Sequence, residues 1–258
     1  MQALLLDLDG VFYVGSNMVP GADLTATWLE QARIPHLFVT NTTSRPRRAL
    51  VEKLQRFGIE APEAAILTPP VAAAAWLHKR GIQRLAVYVP AATREEFQDF
   101  ETADPASDER VDAVVVGDLG EEWDFATLNH AFNQLMRDPQ PKLVALGMTR
   151  YWRAADGLRL DTAPFVMALS HASGVEPMVL GKPATPFFRT ALDLLGTPPE
   201  ATVMVGDDLD ADVGGAQQAG LAGVLVRTGK YRVDRTEAVQ PDAVLDSVAE
   251  LPSWWGSR

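Results

Sequence analysis

Met1-Gln-Ala-Leu-Leu-Leu-Asp-Leu-Asp-Gly10 runs four apolar residues, Ala3 to Leu6, into two carboxylates one residue apart and a glycine. The apolar run reads as a buried strand, and alternation along it would put Asp7 and Asp9 on one side if the strand continued. Gly10 argues for a sharp turn there instead, with its amide free to approach an anion. Two carboxylates then stand at the carboxyl edge of a buried strand, where open α/β sheets place their ligands. Such a pair divides its labour naturally: one carboxylate is nucleophile or metal ligand, the other shuttles a proton. Taken alone, Asp and Gly after a strand are also ordinary turn residues.

Outward from this stretch the chain alternates helices and strands. Ala22 to Arg33 carries Leu24, Trp28, Leu29 and Ala32 at helical spacing, which predicts a helix packing that face on a sheet. Ile34 to Val39 is a second strand, ending in Thr40-Asn41-Thr42-Thr43-Ser44. These residues cap the helix expected from Pro46 to Phe57, but five in a row exceed what a cap requires. Thr40 and Asn41 are therefore candidates to grip a phosphate. Further strands are expected at Ile66–Thr68, Arg84–Val89, Asp112–Val116, Lys142–Leu146, Thr202–Val205, Gly223–Val226 and Pro241–Leu245, with helices interleaved. This is the rhythm of parallel sheets. The rhythm restarts at Gly81, so the fold class expected is α/β, a doubly wound parallel-sheet Rossmann-like core with a second α/β unit inserted. The borders expected are 1–80 and 178–258 for the core and 81–177 for the insertion.

Two later stretches carry chemistry. In Val179-Leu180-Gly181-Lys182-Pro183 the lysine sits at a turn, where a fixed ammonium can neutralise a phosphate or a cluster of carboxylates; a solvated surface lysine is the plain alternative. Gly206-Asp207-Asp208-Leu209-Asp210-Ala211-Asp212 puts four aspartates in six residues at a strand end, a set that repels itself without a cation. Asp207 at the strand tip is the natural metal ligand. Asp212 belongs behind it or orients Lys182, Asp208 assists, and Asp210 faces solvent. Oxygen donors without histidine suit Mg²⁺.

Composition bounds the rest. The formal charge is −11 and the pI about 4.8, so neither nucleic acid nor an anionic membrane is an expected partner. With no cysteine, disulfides and thiol catalysis are excluded, which fits a cytoplasmic setting. Met1 is followed almost at once by the first strand, leaving no expected room for a signal peptide. No apolar run is long enough for a membrane span. His36, His78, His130 and His171 lack metal-ligand spacing.

With these pieces assembled, the chain resembles the phosphatase branch of the haloacid dehalogenase superfamily. Four strand-end motifs match in order: Asp7-Leu8-Asp9-Gly10, Thr40-Asn41, Lys182-Pro183, and Gly206-Asp207 with Asp212. The long gap between Asn41 and Lys182 resembles the family's large α/β cap. Within the branch, Gly206 to Gln217, Val226-Arg-Thr-Gly-Lys-Tyr231, and Arg150-Tyr151 followed by Asp156-Gly157-Leu158 resemble the phospholysine phosphohistidine inorganic pyrophosphate phosphatase group. Ala163 before Pro164 and Trp152 depart from the family pattern, both in or near the cap.

The resemblance implies that Asp7 attacks phosphorus to form an aspartyl-phosphate and that Asp9 serves as acid and then base. It implies Thr40 and Asn41 on phosphoryl oxygens, Lys182 balancing charge, and Mg²⁺ held by Asp7, the Asp9 carbonyl and Asp207. The implied substrate is a small phosphorylated molecule, with Thr149, Arg150 and Tyr151 as cap candidates to meet it, and relatives' caps imply a homodimer. Clustered aspartates, a threonine and a lysine also describe a phosphate-accepting receiver domain, and a ligand-binding protein of the same fold is a further alternative.

Overall fold

The computed structural model describes residues 1–104, 107, 109–154, 157–231 and 239–257. They form two compact units: Met1–Thr40 with Arg47–Leu67 and Lys182–Arg258, and Asn41–Pro46 with Thr68–Gly181.

The first unit is built on six parallel strands in the order Ala243–Leu245, Ala222–Val226, Thr202–Gly206, Ala3–Asp7, His36–Val39 and Ile66–Leu67. Ala3–Asp7 is central and buried along its whole length, which is why its apolar residues run without alternation. Leu4 and Leu6 face a core that includes Phe12, Phe38, Val203 and Val205, while Leu5 is buried on the opposite face. Leu6 pairs with Val205, and Asp7 with Val39. All strands being parallel, Asp7, Thr40 and Asp207 come off one edge. The chain order departs in opposite directions on the two sides of Ala3–Asp7, the switch point at which such sheets open a crevice.

The helix expected near residue 22 spans Ala22–Gln31 but buries Ala22, Thr25, Ala26 and Leu29. Leu24 is 71% exposed and Ala32 also faces solvent, so the buried stripe differs from the expected one. Thr25 competes successfully for the core because its hydroxyl reaches the Gly21 and Val248 carbonyls. Val11 to Gly21, whose Gly15, Pro20 and Gly21 read as a loop or small flap, holds a small hairpin of Tyr13–Val14 with Asn17–Met18. Trp254 and Trp255, in the Leu251–Gly256 helix, pack on the first unit's core.

The second unit has five parallel strands in the order Pro177–Val179, Lys142–Ala145, Ala113–Val116, Arg84–Tyr88 and Glu101–Thr102. The helices Phe125–Leu135 and Thr162–Ser173 supply core residues to one face. Asp124 Oδ1 caps the first by accepting from Thr127 N at 2.7 Å. Where Thr93 to Phe100 was expected to be a helix, Ala91–Phe97 forms a 3₁₀ segment. An antiparallel hairpin, Tyr151–Ala154 with Gly157–Leu160, was not apparent in the sequence. Asp156 lies outside the described residues.

The units part near 67/68 and 181/182, whereas the expected borders were 80/81 and 177/178. Local packing accounts for the difference. The helix Pro69–His78 belongs with the second unit, where His78 stacks on Phe100 at 4.1 Å between ring centroids. Pro177–Val179 pairs with Lys142–Ala145. Asn41–Pro46 also belongs there, with Thr93 Oγ1 donating to the Thr43 carbonyl at 3.0 Å.

Phe38 sits 5.1 Å from Phe12, edge to face, and both are fully buried beneath the Asp7–Gly10 loop's strand. Phe38→Ala is expected to cost about 3–5 kcal/mol of stability by chemical denaturation. A loss below about 1 kcal/mol would mean this contact does not anchor the core.

Candidate active site

At the carboxyl edge of the first unit's sheet, Lys182 Nζ donates to Asp7 Oδ1 and to Asp212 Oδ1, both at 2.6 Å. All three side chains are buried. Asp7 ends the central strand, Asp212 lies on the helical turn after the neighbouring strand, and Lys182 comes just ahead of the Thr185–Leu195 helix. The surface-lysine alternative is thereby set aside.

Asp207 follows the same neighbouring strand and is 2% exposed. Its Oδ2 accepts from Lys230 N at 2.7 Å, while its Oδ1 is buried with no hydrogen-bond partner among the described residues. Asp212 differs: Oδ1 meets Lys182 and Oδ2 accepts from Asp208 N at 3.1 Å, so both its oxygens are engaged. Oxygens of Asp7, Asp207 and Asp212 lie within 4.8 Å of one another. When all are ionised, three buried carboxylates facing one buried ammonium leave two negative charges, the deficit a divalent cation neutralises. The orphaned Asp207 oxygen and the all-oxygen donors fit a hard divalent ion.

Titration follows from this crowding. Burial pushes the Asp7 carboxyl up to about 7, against the pull of Lys182 and with added repulsion from Asp212 and Asp207. Burial also pushes Asp207 up to about 6, partly opposed by the Lys230 N–H. For Lys182 burial disfavours the charge, but Asp212 and Asp7 more than offset it and raise its pKa.

The other expected residues divide. Asp208 is a cap: its Oδ1 accepts from Asp210 N at 3.2 Å and Ala211 N at 3.0 Å, starting the π-helical turn Leu209–Gly214. Burial would raise Asp208, but the Ala211 N–H and Lys230 hold it below the ordinary value. Asp210 is exposed, as expected. Asp9 is exposed just past the Asp7 strand, its backbone bridged to Tyr13. Thr40 is buried and its N–H donates to the Leu67 carbonyl at 3.2 Å, at the same sheet edge as Asp7. Asn41, Thr149 and Arg150 belong to the second unit. There the Thr149 and Arg150 carbonyls accept from Ala163 N and Asp161 N, and Arg150 lies 5.9 Å from the Tyr151 ring centroid.

Gly10 corrects an expectation. Its N–H donates to the Tyr13 carbonyl at 2.7 Å, so the amide is not free for an anion. What matters is its missing side chain. At φ +90°, a Cβ on Gly10 would fall 2.0 Å from Asp207 Oδ2. Gly206 likewise makes room for the Asp212 carboxylate, 2.2 Å from where its Cβ would be. The turn Thr228–Lys230 was missed as part of the site, although a glycine after an apolar strand was its sequence signal.

Two family models match the chain: haloacid dehalogenase-like hydrolase over residues 4–102, and HAD-hydrolase-like over residues 179–251. Human phospholysine phosphohistidine inorganic pyrophosphate phosphatase is 35% identical over 256 residues, covering 97% of this chain and 92% of that protein. Human haloacid dehalogenase-like hydrolase domain-containing protein 2 is 37% identical over 245 residues, covering 95% and 91%. Among solved structures, p-nitrophenyl phosphatase from Archaeoglobus fulgidus matches with a TM-score of 0.88 at 27% identity, covering 98% of each chain.

Asp7 and Asp207 both titrate above the ordinary 3.8, so the folded metal-free protein binds more protons than the unfolded chain across the interval up to about 7. Their contribution to stability is present at acid pH and is lost as pH rises through that interval. A divalent cation bound to the ionised carboxylates reverses the trend, by about 2.7 kcal/mol at a hundredfold excess over Kd. Added Mg²⁺ is thus expected to raise the melting temperature at pH 7.5 and much less at pH 5. Equal shifts at both would remove these carboxylates as ligands.

Proposed function

Since this chain belongs to the haloacid dehalogenase-like hydrolases, we propose that it is a Mg²⁺-dependent phosphatase acting on a small phosphorylated molecule through a phosphorylated Asp7. The observation that carries the reading is the buried Lys182 held at 2.6 Å from both Asp7 and Asp212, beside the orphaned Asp207 Oδ1.

Lys182 occupies Asp7 Oδ1, which leaves Oδ2 to attack phosphorus. An Asp7 O–P bond forms as the bond from phosphorus to the leaving oxygen or nitrogen breaks, and Asp9 gives that atom a proton. Exposure suits Asp9 to this exchange, since the leaving group and the incoming water both arrive from solvent. Water then attacks phosphorus, Asp9 takes its proton, and the Asp7 O–P bond breaks, restoring the carboxylate. Thr40 and Asn41, at the end of the adjacent strand, hold phosphoryl oxygens. The ammonium of Lys182 offsets charge gathering on them and keeps Asp7 oriented. Asp212 fixes Lys182, and Asp208 fixes the turn that carries Asp212. Mg²⁺ held by Asp7, the Asp9 carbonyl and Asp207 would neutralise charge on the transferring group.

The names of the relatives support phospholysine, phosphohistidine, pyrophosphate or an aryl phosphomonoester as substrate, and the proposal extends to a small phosphomonoester such as a nucleotide or sugar phosphate. Thr149 and Arg150 are the proposed contacts to the remainder of the substrate. The proposal includes a cytoplasmic setting and a homodimer through the inserted unit. No helix among the described residues is long and apolar enough to cross a membrane.

Release of inorganic phosphate from p-nitrophenyl phosphate, phospholysine and pyrophosphate, with Mg²⁺ and with EDTA, tests the reading. Turnover is expected to need Mg²⁺ and to fall about 10³-fold or more in Asp7→Asn. Turnover that survives this substitution overturns the mechanism, and a phosphorylated Asp7 that persists without release replaces the enzyme with a phosphate-accepting regulator.

Asp9→Asn is expected to lose about 10²- to 10⁴-fold against an alkyl phosphate but less against p-nitrophenyl phosphate, whose leaving group needs little protonation. Equal losses on the two substrates would take the acid role from Asp9.

A further inference from the structure

We infer that the turn Thr228–Lys230 positions the Asp207 carboxylate for the divalent cation, with Thr228 as the residue that locks the turn in place. This rests on the Mg²⁺-dependent reading above and adds a residue outside the four motifs.

The two oxygens of a carboxylate exchange by rotation about its bond to Cβ, so a free aspartate presents either one. Around Asp207 that equivalence is broken. Lys230 N donates to Oδ2 at 2.7 Å. Two glycines close on the same oxygen: a Cβ on Gly10 or on Gly229 would each fall 2.0 Å from it. The Gly229 Cβ would also come within 2.6 Å of Gly10 Cα, and Gly229 adopts φ +65°. Oδ2 is thus enclosed by the backbone of two loops, which leaves Oδ1, buried and unpartnered among the described residues, as the oxygen offered to a metal.

The turn must itself be held for this to work. Thr228 Oγ1 donates to the Gly10 carbonyl, joining the turn to the loop that carries Asp9. The Lys230 ammonium points elsewhere, to Asp208 Oδ2 at 3.3 Å, so Asp207 is met by a peptide N–H and not by that side chain. Thr228 is accordingly a positioning residue. It acts through the Lys230 N–H and the Gly10–Gly229 contact, and it binds no substrate. Partners of this kind set metal affinity because they remove, before binding, the freedom that the metal would otherwise have to freeze.

The test is the Mg²⁺ dissociation constant of the whole protein without substrate, by calorimetry, together with the Mg²⁺ concentration that half-activates turnover. Thr228→Val keeps the shape and removes the hydroxyl. It is expected to weaken Mg²⁺ binding about tenfold, within the roughly ten- to hundredfold span of such partners, and to raise the half-activating concentration in step while kcat at saturating Mg²⁺ falls less. Thr228→Ser restores the hydroxyl and is expected to restore both. Gly229→Ala is expected to weaken binding further. If it fails to fold, the Thr228 pair still decides. Unchanged Mg²⁺ affinity in Thr228→Val overturns the proposal, including where its melting temperature drops, because that pattern belongs to a purely structural hydroxyl. A Ser variant as weak as Val overturns it as well. If the unaltered protein binds no Mg²⁺, the Mg²⁺-dependent reading fails and this proposal falls with it; if it binds Mg²⁺ and Thr228→Val binds equally well, only the positioning role is lost.

Discussion

The buried ammonium of Lys182, shared at 2.6 Å between Asp7 and Asp212, is the constraint on which the rest of the site depends. Removing these charges from water costs several kcal/mol per ion and is repaid only by close geometry. That geometry draws on three separated parts of the chain. Asp7 is placed by the central strand, Asp212 by the turn after its parallel neighbour, and Lys182 by the approach to the Thr185–Leu195 helix. A one-residue slip between Ala3–Asp7 and Thr202–Gly206 would separate the charges, so the apolar register of Leu4 and Leu6 against Val203 and Val205 serves the polar site.

The four aspartates of residues 207–212 are chemically identical and yet do four different things. Asp207 keeps one oxygen buried and unpaired, Asp212 has both engaged, Asp208 caps the turn that follows, and Asp210 faces solvent. Environment makes the difference. Burial raises Asp207, whereas backbone N–H groups and Lys230 lower Asp208 one residue away. A run that would repel itself in an open loop becomes an ordered set because the turn distributes its members among a helix cap, an ion pair and solvent.

Glycine supports the site by absence. Gly10, Gly206 and Gly229 each stand where a Cβ would strike a carboxylate, at 2.0, 2.2 and 2.0 Å. Two of the three also adopt positive φ, Gly10 at 90° and Gly229 at 65°. Backbone therefore approaches the acids closely, and beside Gly229 the Lys230 N–H reaches Asp207, an approach that a side chain at Gly229 would block.

Read as sequence, the chain carried its parallel-sheet rhythm, the strand-end carboxylates and the lysine, because buried parallel strands and the polar residues that end them leave continuous local patterns. Leu24 was misread because helical spacing reports a stripe without saying which of two overlapping stripes meets the core, and Thr25 entered on hydrogen bonds to Gly21 and Val248. The hairpin Tyr151–Ala154 with Gly157–Leu160 was illegible because Tyr151, Trp152 and Gly157–Leu160 are exposed and mark no buried face. Gly10 was read as an anion donor because only the folded loop brings the Tyr13 carbonyl to its N–H. The sequence by itself determined which chemical groups are present and that they end parallel strands, since those are local matters of residue type and order. Only the tertiary structure decided which oxygen of Asp207 stays unpaired among the described residues, that both oxygens of Asp212 are engaged, and that Thr228 reaches Gly10 across 218 residues of chain, since each depends on atoms brought together by the sheet.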